Sequence, residues 1–371
     1  MDGKRNILFV CRRLNIAGGK ERVLVNTASF LADSFQVGIL QLTQADSFYP
    51  VGTGVDMYHI EASNAFGKRS IAAKLRGFIQ DIKILRRFMQ DHSTDVVISV
   101  DYFVSWMFVL GTLFSKRPYL LIGWEHIGYN NPWVQGLGRK LKNYILKQLD
   151  HLVVLTRHDA DIYNKMGIPV TTIPNAKSFE SIVKSNLEQK RILTIGRLSP
   201  QKGIDYLLDL IVVLKDRLHG WKFILVAQDD LFTVDELKQW IAEKQIGHLI
   251  DLYPPTSKIV DYYLQSSIYL MTSRNEGLPM VLIEAMECGL PCVSFDCETG
   301  PADIIQDGVS GKLVPTFNLE RMADSVLALT DDATRKMMGV NAAASVEKFS
   351  LERISKQWQG FLNATKKKAE C

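Results

Sequence analysis

No CxxC pair, no GxGxxG run, no apolar stretch of membrane-spanning length and no strong excess of either charge occurs in this 371-residue chain. Each absence removes a class of function. The five cysteines, Cys11, Cys288, Cys292, Cys297 and Cys371, lack the spacing and the neighbouring histidines of a tetrahedral metal site. An odd count in a chain of this size points to reduced thiols and a cytoplasmic address. The longest apolar stretch, 102–114, falls short of the ~20 residues that cross a bilayer. It reads instead as a buried strand and helix, flanked by Asp101 on one side and Lys116 and Arg117 on the other. Near the start, the apolar run 7–11 is closed by Arg12 and Arg13 too soon for a secretory signal. A net charge of +4 makes no demand for nucleic acid. Without GxGxxG and its acidic ribose ligand, a nicotinamide dehydrogenase is disfavoured.

What is present is an alternation of short β-branched runs with longer helical periodicities, the pattern of α/β architecture with parallel sheets. Strands are expected at 6–11, 36–42, 96–100, 119–124, 151–155 and 170–173, with helices at 21–32, 70–90, 135–149 and 159–166. A second series has strands at 191–195, 222–227, 249–252, 268–271 and 291–295, with helices at 204–218, 234–244, 258–265 and 280–288. The polar stretch 175–189 between them reads as a linker. The expectation is two Rossmann-like doubly wound domains, 1–177 and 190–345, facing a central cleft, with 346–371 forming a helix that returns to the first. In such sheets ligands bind beyond the carboxyl ends of the strands. No internal repeat appears, and the only biased segment is Lys366-Lys367-Lys368.

Three segments carry candidate chemistry. Gly18 and Gly19 lie between the first strand and a helix, where paired glycines let backbone approach an anion or simply make a tight turn. Gly196-Arg197-Leu198-Ser199-Pro200-Gln201-Lys202-Gly203 places two cations between a strand and a helix start. Such a pair suits a diphosphate, the arginine giving forked hydrogen bonds and the lysine a compact charge. In Glu276-Gly277-Leu278-Pro279-Met280-Val281-Leu282-Ile283-Glu284, Pro279 suits the first position of a helix. The amides of Met280 and Val281 would then be open to phosphate oxygens. Glu276 precedes that helix and Glu284 projects from inside it, so the two bracket its N-terminus. A carboxylate within an apolar helix must find donors, either sugar hydroxyls or a core arginine.

Together these segments resemble family 4, the large retaining glycosyltransferase family with the GT-B fold, as found among bacterial surface-polysaccharide enzymes. Glu276 and Glu284 match its E-x7-E motif. Gly18-Gly19-Lys20-Glu21-Arg22-Val23 looks like its GGxERV segment, Ile173-Pro174-Asn175 like its IPN strand end, and 300–314 like the loop after the second carboxylate. The resemblance implies a hexose or N-acetylhexosamine moved from a nucleotide-sugar, with UDP the expected nucleotide, to a glycan or polyprenyl-diphosphate-linked acceptor. It implies that Arg197 and Lys202 bind the donor diphosphate with backbone near Gly19, Gly196, Gly277, Leu278, Met280 and Val281. Glu284 would hold the ribose, Glu276 the transferred sugar, and His126, at a strand end after Trp124 and Glu125, would lie beside that sugar. No side chain is a secure nucleophile, so the leaving diphosphate is expected to help deprotonate the acceptor. A catalytically silent sugar-binding subunit and a nucleotide-sugar epimerase are the competing readings. Val226-Ala227-Gln228-Asp229-Asp230 lacks the family's glycines, and backbone near Leu252, Tyr253 and Pro254 is the candidate for the base.

Asp159-Ala160-Asp161 could hold a divalent cation, but Thr156 can cap a helix with Asp159 at its third position, where acid is favoured anyway. No metal or cofactor is therefore expected. Between 66 and 90, Lys68, Arg69, Lys74, Arg76, Lys83, Arg86 and Arg87 stand against one acid, Asp81, with apolar residues at helical spacing. This is either a solvated basic face or one that meets an anionic membrane on its inner face. Arg139, Lys140, Lys142 and Lys147 are candidates to extend it.

Overall fold

The computed structural model describes residues 4–16, 18–61, 70–112, 116–131 and 134–365. Lys68, Arg69, Cys371 and the 366–368 lysines lie outside those residues. The chain divides into two compact units, one of Met1–Ser178 with Leu351–Cys371 and one of Phe179–Ser350.

The first unit runs β1 (Asn6–Cys11), α1 (Gly19–Leu31), β2 (Gln36–Gln41), β3 (Val55–His59), α2 (Ile71–Asp91), β4 (Val96–Val100), α3 (Tyr102–Gly111), β5 (Leu120–Glu125), α4 (Gly136–Leu146), β6 (His151–Val154), α5 (Arg157–Lys165) and β7 (Val170–Thr172). Its seven strands are ordered β3-β2-β1-β4-β5-β6-β7 and every neighbour is parallel. Parallel strands are covered on both faces, so β1, β4 and β5 read as nearly unbroken apolar runs and are almost wholly buried.

The second unit runs β8 (Arg191–Arg197), α6 (Ile204–Leu214), β9 (Lys222–Gln228), α7 (Val234–Glu243), β10 (Ile250–Tyr253), α8 (Ile259–Leu264), β11 (Ile268–Met271), α9 (Met280–Glu287), β12 (Cys292–Asp296), α10 (Pro301–Ile304), β13 (Gly311–Pro315), α11 (Leu319–Ala328) and α12 (Asp332–Ser345). Its six strands, again all parallel, are ordered β10-β9-β8-β11-β12-β13. In both sheets the winding reverses once, between β1 and β4 and between β8 and β11. Loops leaving those two strands diverge and open a crevice at the carboxyl edge, the position where α/β sheets bind ligands.

The last helix, α13 (Leu351–Ala364), belongs to the first unit. Trp358 is fully buried there, its ring 4.9 Å from that of Trp124 on β5, and Gln359 reaches Ser34. Stretch 175–189 forms no strand or helix, and from Phe179 onward it belongs to the second unit. There Glu287 at the end of α9 accepts from the Ser181 amide at 2.8 Å and pairs with Lys184 at 3.0 Å. Two edge strands, β3 and β13, lie where no strand is expected from the sequence. Among the described residues no helix is long and apolar enough to cross a membrane.

Truncating Trp358 removes a large side chain from a filled core. Trp358→Ala should destabilise the protein by about 3–5 kcal/mol, read as a lowered urea midpoint. A loss below about 1 kcal/mol would mean that α13 does not brace the sheet.

Candidate functional site

The second unit's crevice is built by two loops, one from each strand beside the reversal. Strand β8 ends on Arg197, and a single 3-10 turn, Pro200–Lys202, leads into α6. Gly203 closes that turn with φ of 63°, and a β carbon there would stand 2.0 Å from the Thr272 carbonyl, so only glycine lets this turn meet β11. The turn delivers Lys202 back over the strand end. Its stem passes at van der Waals distance from where a Gly196 side chain would begin, and its ammonium pairs with Glu276 Oε1 at 2.8 Å.

The β11 loop is stitched to this turn. The Arg274 amide donates to the Gln201 carbonyl at 2.8 Å, and Gln201 Nε2 donates to the Asn275 carbonyl at 3.0 Å. The Arg274 guanidinium bonds the Pro200 carbonyl and Asp205 and lies over the Tyr206 ring. Behind the loop, Thr299 donates to the Glu276 carbonyl, and Gly300, at φ of 97°, packs so closely that a β carbon would meet Pro279 at 2.5 Å. Helix α9 starts at Met280, as the 280–288 periodicity gives, but Pro279 precedes it and is not its first residue. Pro279 has ψ of 101° and sits at the N-cap, with Met280 first in the helix. The Met280 and Val281 amides have no partner within the helix, whereas the Leu282 amide donates to the Pro279 carbonyl at 3.1 Å. The result is a small pocket lined by Gly196, Lys202, Thr272, Ser273 and Val281 among others.

Glu284 has a donor inside its own unit. Tyr263 of α8, fully buried, donates its hydroxyl to Glu284 Oε2 at 2.9 Å. Burial and the Glu284 charge push the Tyr263 phenol well above its ordinary value, so it remains protonated and donating. Arg197 turns away from the pocket to pair with Asp230 at 3.0 Å, half-exposed, so Asp230 of the glycine-poor segment is its counter-ion.

In the first unit, Gly18 is the N-cap of α1 and offers no side-chain cap, with Gly19 the first helical residue. A β carbon at Gly18 would fall 2.0 Å from Glu21 Oε2. His126 follows β5 with its ring 4.5 Å from that of Trp124. Both ring nitrogens are shielded and have no hydrogen-bond partner among the described residues. Burial, aided by the Lys20 charge, lowers its pKa well below the usual histidine value, so the ring is neutral.

Two models of known families match adjoining stretches of the chain. Residues 17–176 match Glycosyltransferase Family 4, and residues 176–345 match Glycosyl transferases group 1. The chain belongs to the family 4 glycosyltransferases. It is 28% identical to the amylovoran biosynthesis glycosyltransferase AmsD of Erwinia amylovora over 96% of this chain and 99% of that one. It is 26% identical to a Campylobacter jejuni α-1,4-N-acetyl-D-galactosaminyltransferase, named for a diNAcBac-PP-undecaprenol-linked GalNAc disaccharide acceptor, over 95% and 96% of the two chains. Among solved structures, S. aureus TarM, in complex with Fondaparinux, α-GlcNAc-glycerol and UDP, superposes with a TM-score of 0.79 at 16% identity over 97% and 100%. That likeness gives the GT-B fold.

The glycosyltransferase's sequence singles out Lys202, Glu276, Gly196 and Val281, and the fold brings them to one crevice. One expectation is corrected. Lys142 does not extend a basic surface: it is buried on α4 and pairs with buried Glu125 at 2.6 Å. Burial works against its ammonium, and Glu125 outweighs that effect, so Lys142 stays charged. Asp159 caps α5 with Thr156 and accepts from the Tyr129 amide at 2.8 Å, and Asp161 is exposed. The two acids of that DxD therefore do not converge. Among the described residues no three His, Cys, Asp or Glu side chains form a cluster fit for a metal.

Several supporting residues escape a reading of motifs. Tyr263, Arg274 and Asp205 work through contacts across tens of residues. Asp101, read only as the polar end of an apolar run, has φ of 115°, caps α3 through the Phe103 and Val104 amides, and pairs with Arg12 at 3.1 Å and Lys20 at 3.7 Å. A strained non-glycine conformation held by four partners marks the switch point of the first sheet. An aspartate directly before a helical pattern was its one sequence signal.

Tyr263→Phe removes one hydrogen bond to a carboxylate while preserving shape. It should lower stability by about 1.5–3 kcal/mol, the worth of a bond to a charged group, with no change of fold by circular dichroism. Unaltered stability would show that the Tyr263–Glu284 bond is not formed in solution.

Proposed function

We propose that this glycosyltransferase moves a hexose or N-acetylhexosamine, with retention, from a UDP-sugar to a glycan or polyprenyl-diphosphate-linked acceptor in bacterial surface-polysaccharide synthesis, without a metal ion. The observation that carries the donor reading is the crevice of the second unit where the Lys202 ammonium, its partner Glu276 and the α9 N-terminus meet. An ammonium and unpaired helix amides attract a diphosphate. Glu284, fixed by Tyr263, is suited to ribose hydroxyls, and Glu276 to the hydroxyls of the transferred sugar. Neutral His126, with both nitrogens unpartnered, can exchange a hydrogen bond with a sugar hydroxyl.

In the reaction the bond from the anomeric carbon to the diphosphate breaks and the acceptor hydroxyl bonds to that carbon from the same face. The departing diphosphate takes the hydroxyl's proton. Lys202 and Arg197 stabilise the negative charge that develops on the leaving group, Arg197 exchanging Asp230 for phosphate oxygens. The UDP of the TarM complex and the undecaprenyl-linked acceptor of the Campylobacter relative support this choice of donor and acceptor class.

Lys202→Ala and Arg197→Ala should each lower turnover by on the order of 10²–10³, with the melting temperature near that of the parent. Turnover close to the parent in Lys202→Ala would remove the assignment. In a thermal-shift screen of UDP-, GDP- and ADP-sugars, the true donor at about 100 Kd adds about 2.7 kcal/mol of stability. Activity should persist in EDTA, and its loss with recovery on adding magnesium would refute a metal-independent mechanism.

A further inference from the structure

In the first unit α3 packs beside both α2 and α4, and these helices cover one face of the sheet. The outer sides of α2 and α4 are unlike an ordinary solvated helix face. On α4, Leu137, Leu141 and Tyr144 stand four and three residues apart, so they form one stripe, and all are exposed, Leu137 at 83%. On α2, Leu75 and Ile79 are exposed one turn apart. Leu110, at the end of α3, is exposed as well.

The charges beside these apolar positions have one sign. Exposed Arg76, Lys83, Arg86 and Arg87 accompany the α2 pair, and exposed Lys140 and Lys147 flank the α4 stripe. Helices α3 and α4 contain no acid, Asp81 of α2 is buried, and only Asp91 at the far end of α2 is exposed. The whole chain carries a net charge of only +4, so this concentration of cations is local.

We propose that the outer faces of α2 and α4 form a docking surface for an anionic lipid bilayer. Exposed leucine, isoleucine and tyrosine side chains enter the interface between headgroups and acyl chains, while the lysines and arginines beside them meet lipid phosphates. A second copy of the chain is a poor occupant, because two such faces would set cations against cations. The contact is interfacial, since none of these helices is long and apolar enough to span. The inference does not depend on the donor reading, because binding to vesicles needs neither donor nor acceptor.

The test is co-sedimentation of the full chain with vesicles of phosphatidylcholine alone and of phosphatidylcholine with about one-third phosphatidylglycerol. Binding is expected only to the anionic vesicles and should fall when salt is raised from ~0.1 to ~1 M. Leu137→Ser/Leu141→Ser/Tyr144→Ser and, separately, Lys140→Glu/Lys147→Glu should each weaken partitioning by at least about tenfold. Both sets lie on the surface, and an unchanged melting temperature and UDP affinity would show that the fold persists. If the serine variant unfolds, the charge reversal decides. Equal binding to both vesicle types, binding to neither, or unimpaired binding by the folded variants would overturn the proposal. So would a dimer that the same substitutions dissociate, which would make this face a self-contact.

Discussion

A parallel sheet covered by helices on both faces can place polar chemistry in few places. Its strands are buried along their length, so charge is confined to the loops at their ends, and only where the winding reverses do neighbouring loops part. The second sheet reverses between β8 and β11, and the loops of those two strands carry Lys202, Glu276 and the start of α9. The first reverses between β1 and β4, and there Arg12, Lys20 and Asp101 gather. Topology thus selects the site before any particular side chain does.

What the side chains add is rigidity. The Lys202 turn and the Glu276 loop are tied by a backbone bond, by the Gln201 side chain, by the Arg274 bridge to Asp205 and by a glycine contact that excludes any larger residue. Thr299 and Gly300 brace the same loop from behind. Groups that must stabilise charge as it develops are effective when they need not reorganise to do so. The expense of that order is visible as two glycines in left-handed or otherwise forbidden conformations at the site.

Much of the fold and the centre of the site were legible from the sequence, because long apolar runs and helical periodicity report burial directly. The strands β1, β4, β8 and β11 and the helices between them follow from that pattern. The edge strands β3 and β13 did not. They pair on one side only, and Val55–His59 and Gly311–Pro315 carry too few apolar residues to stand out from loop. Residue type misled once, at Lys142, where a lysine between surface cations is buried against Glu125. The supports of the site were illegible for a different reason. Tyr263 lies 21 residues from Glu284, and Arg274 lies 69 from Asp205, so neither spacing nor motif reports the contact.

The 2.8 Å pair of Lys202 with Glu276 gives the crevice its own counter-ion. An incoming anion does not meet a bare cation; it must outbid a tethered carboxylate already present at high effective concentration. A weak monovalent anion brings too little charge for that exchange, whereas a diphosphate brings more than it displaces and releases the carboxylate for hydroxyl groups. On the proposed donor reading, that exchange favours a ligand carrying both a diphosphate and hydroxyl groups over a simple anion.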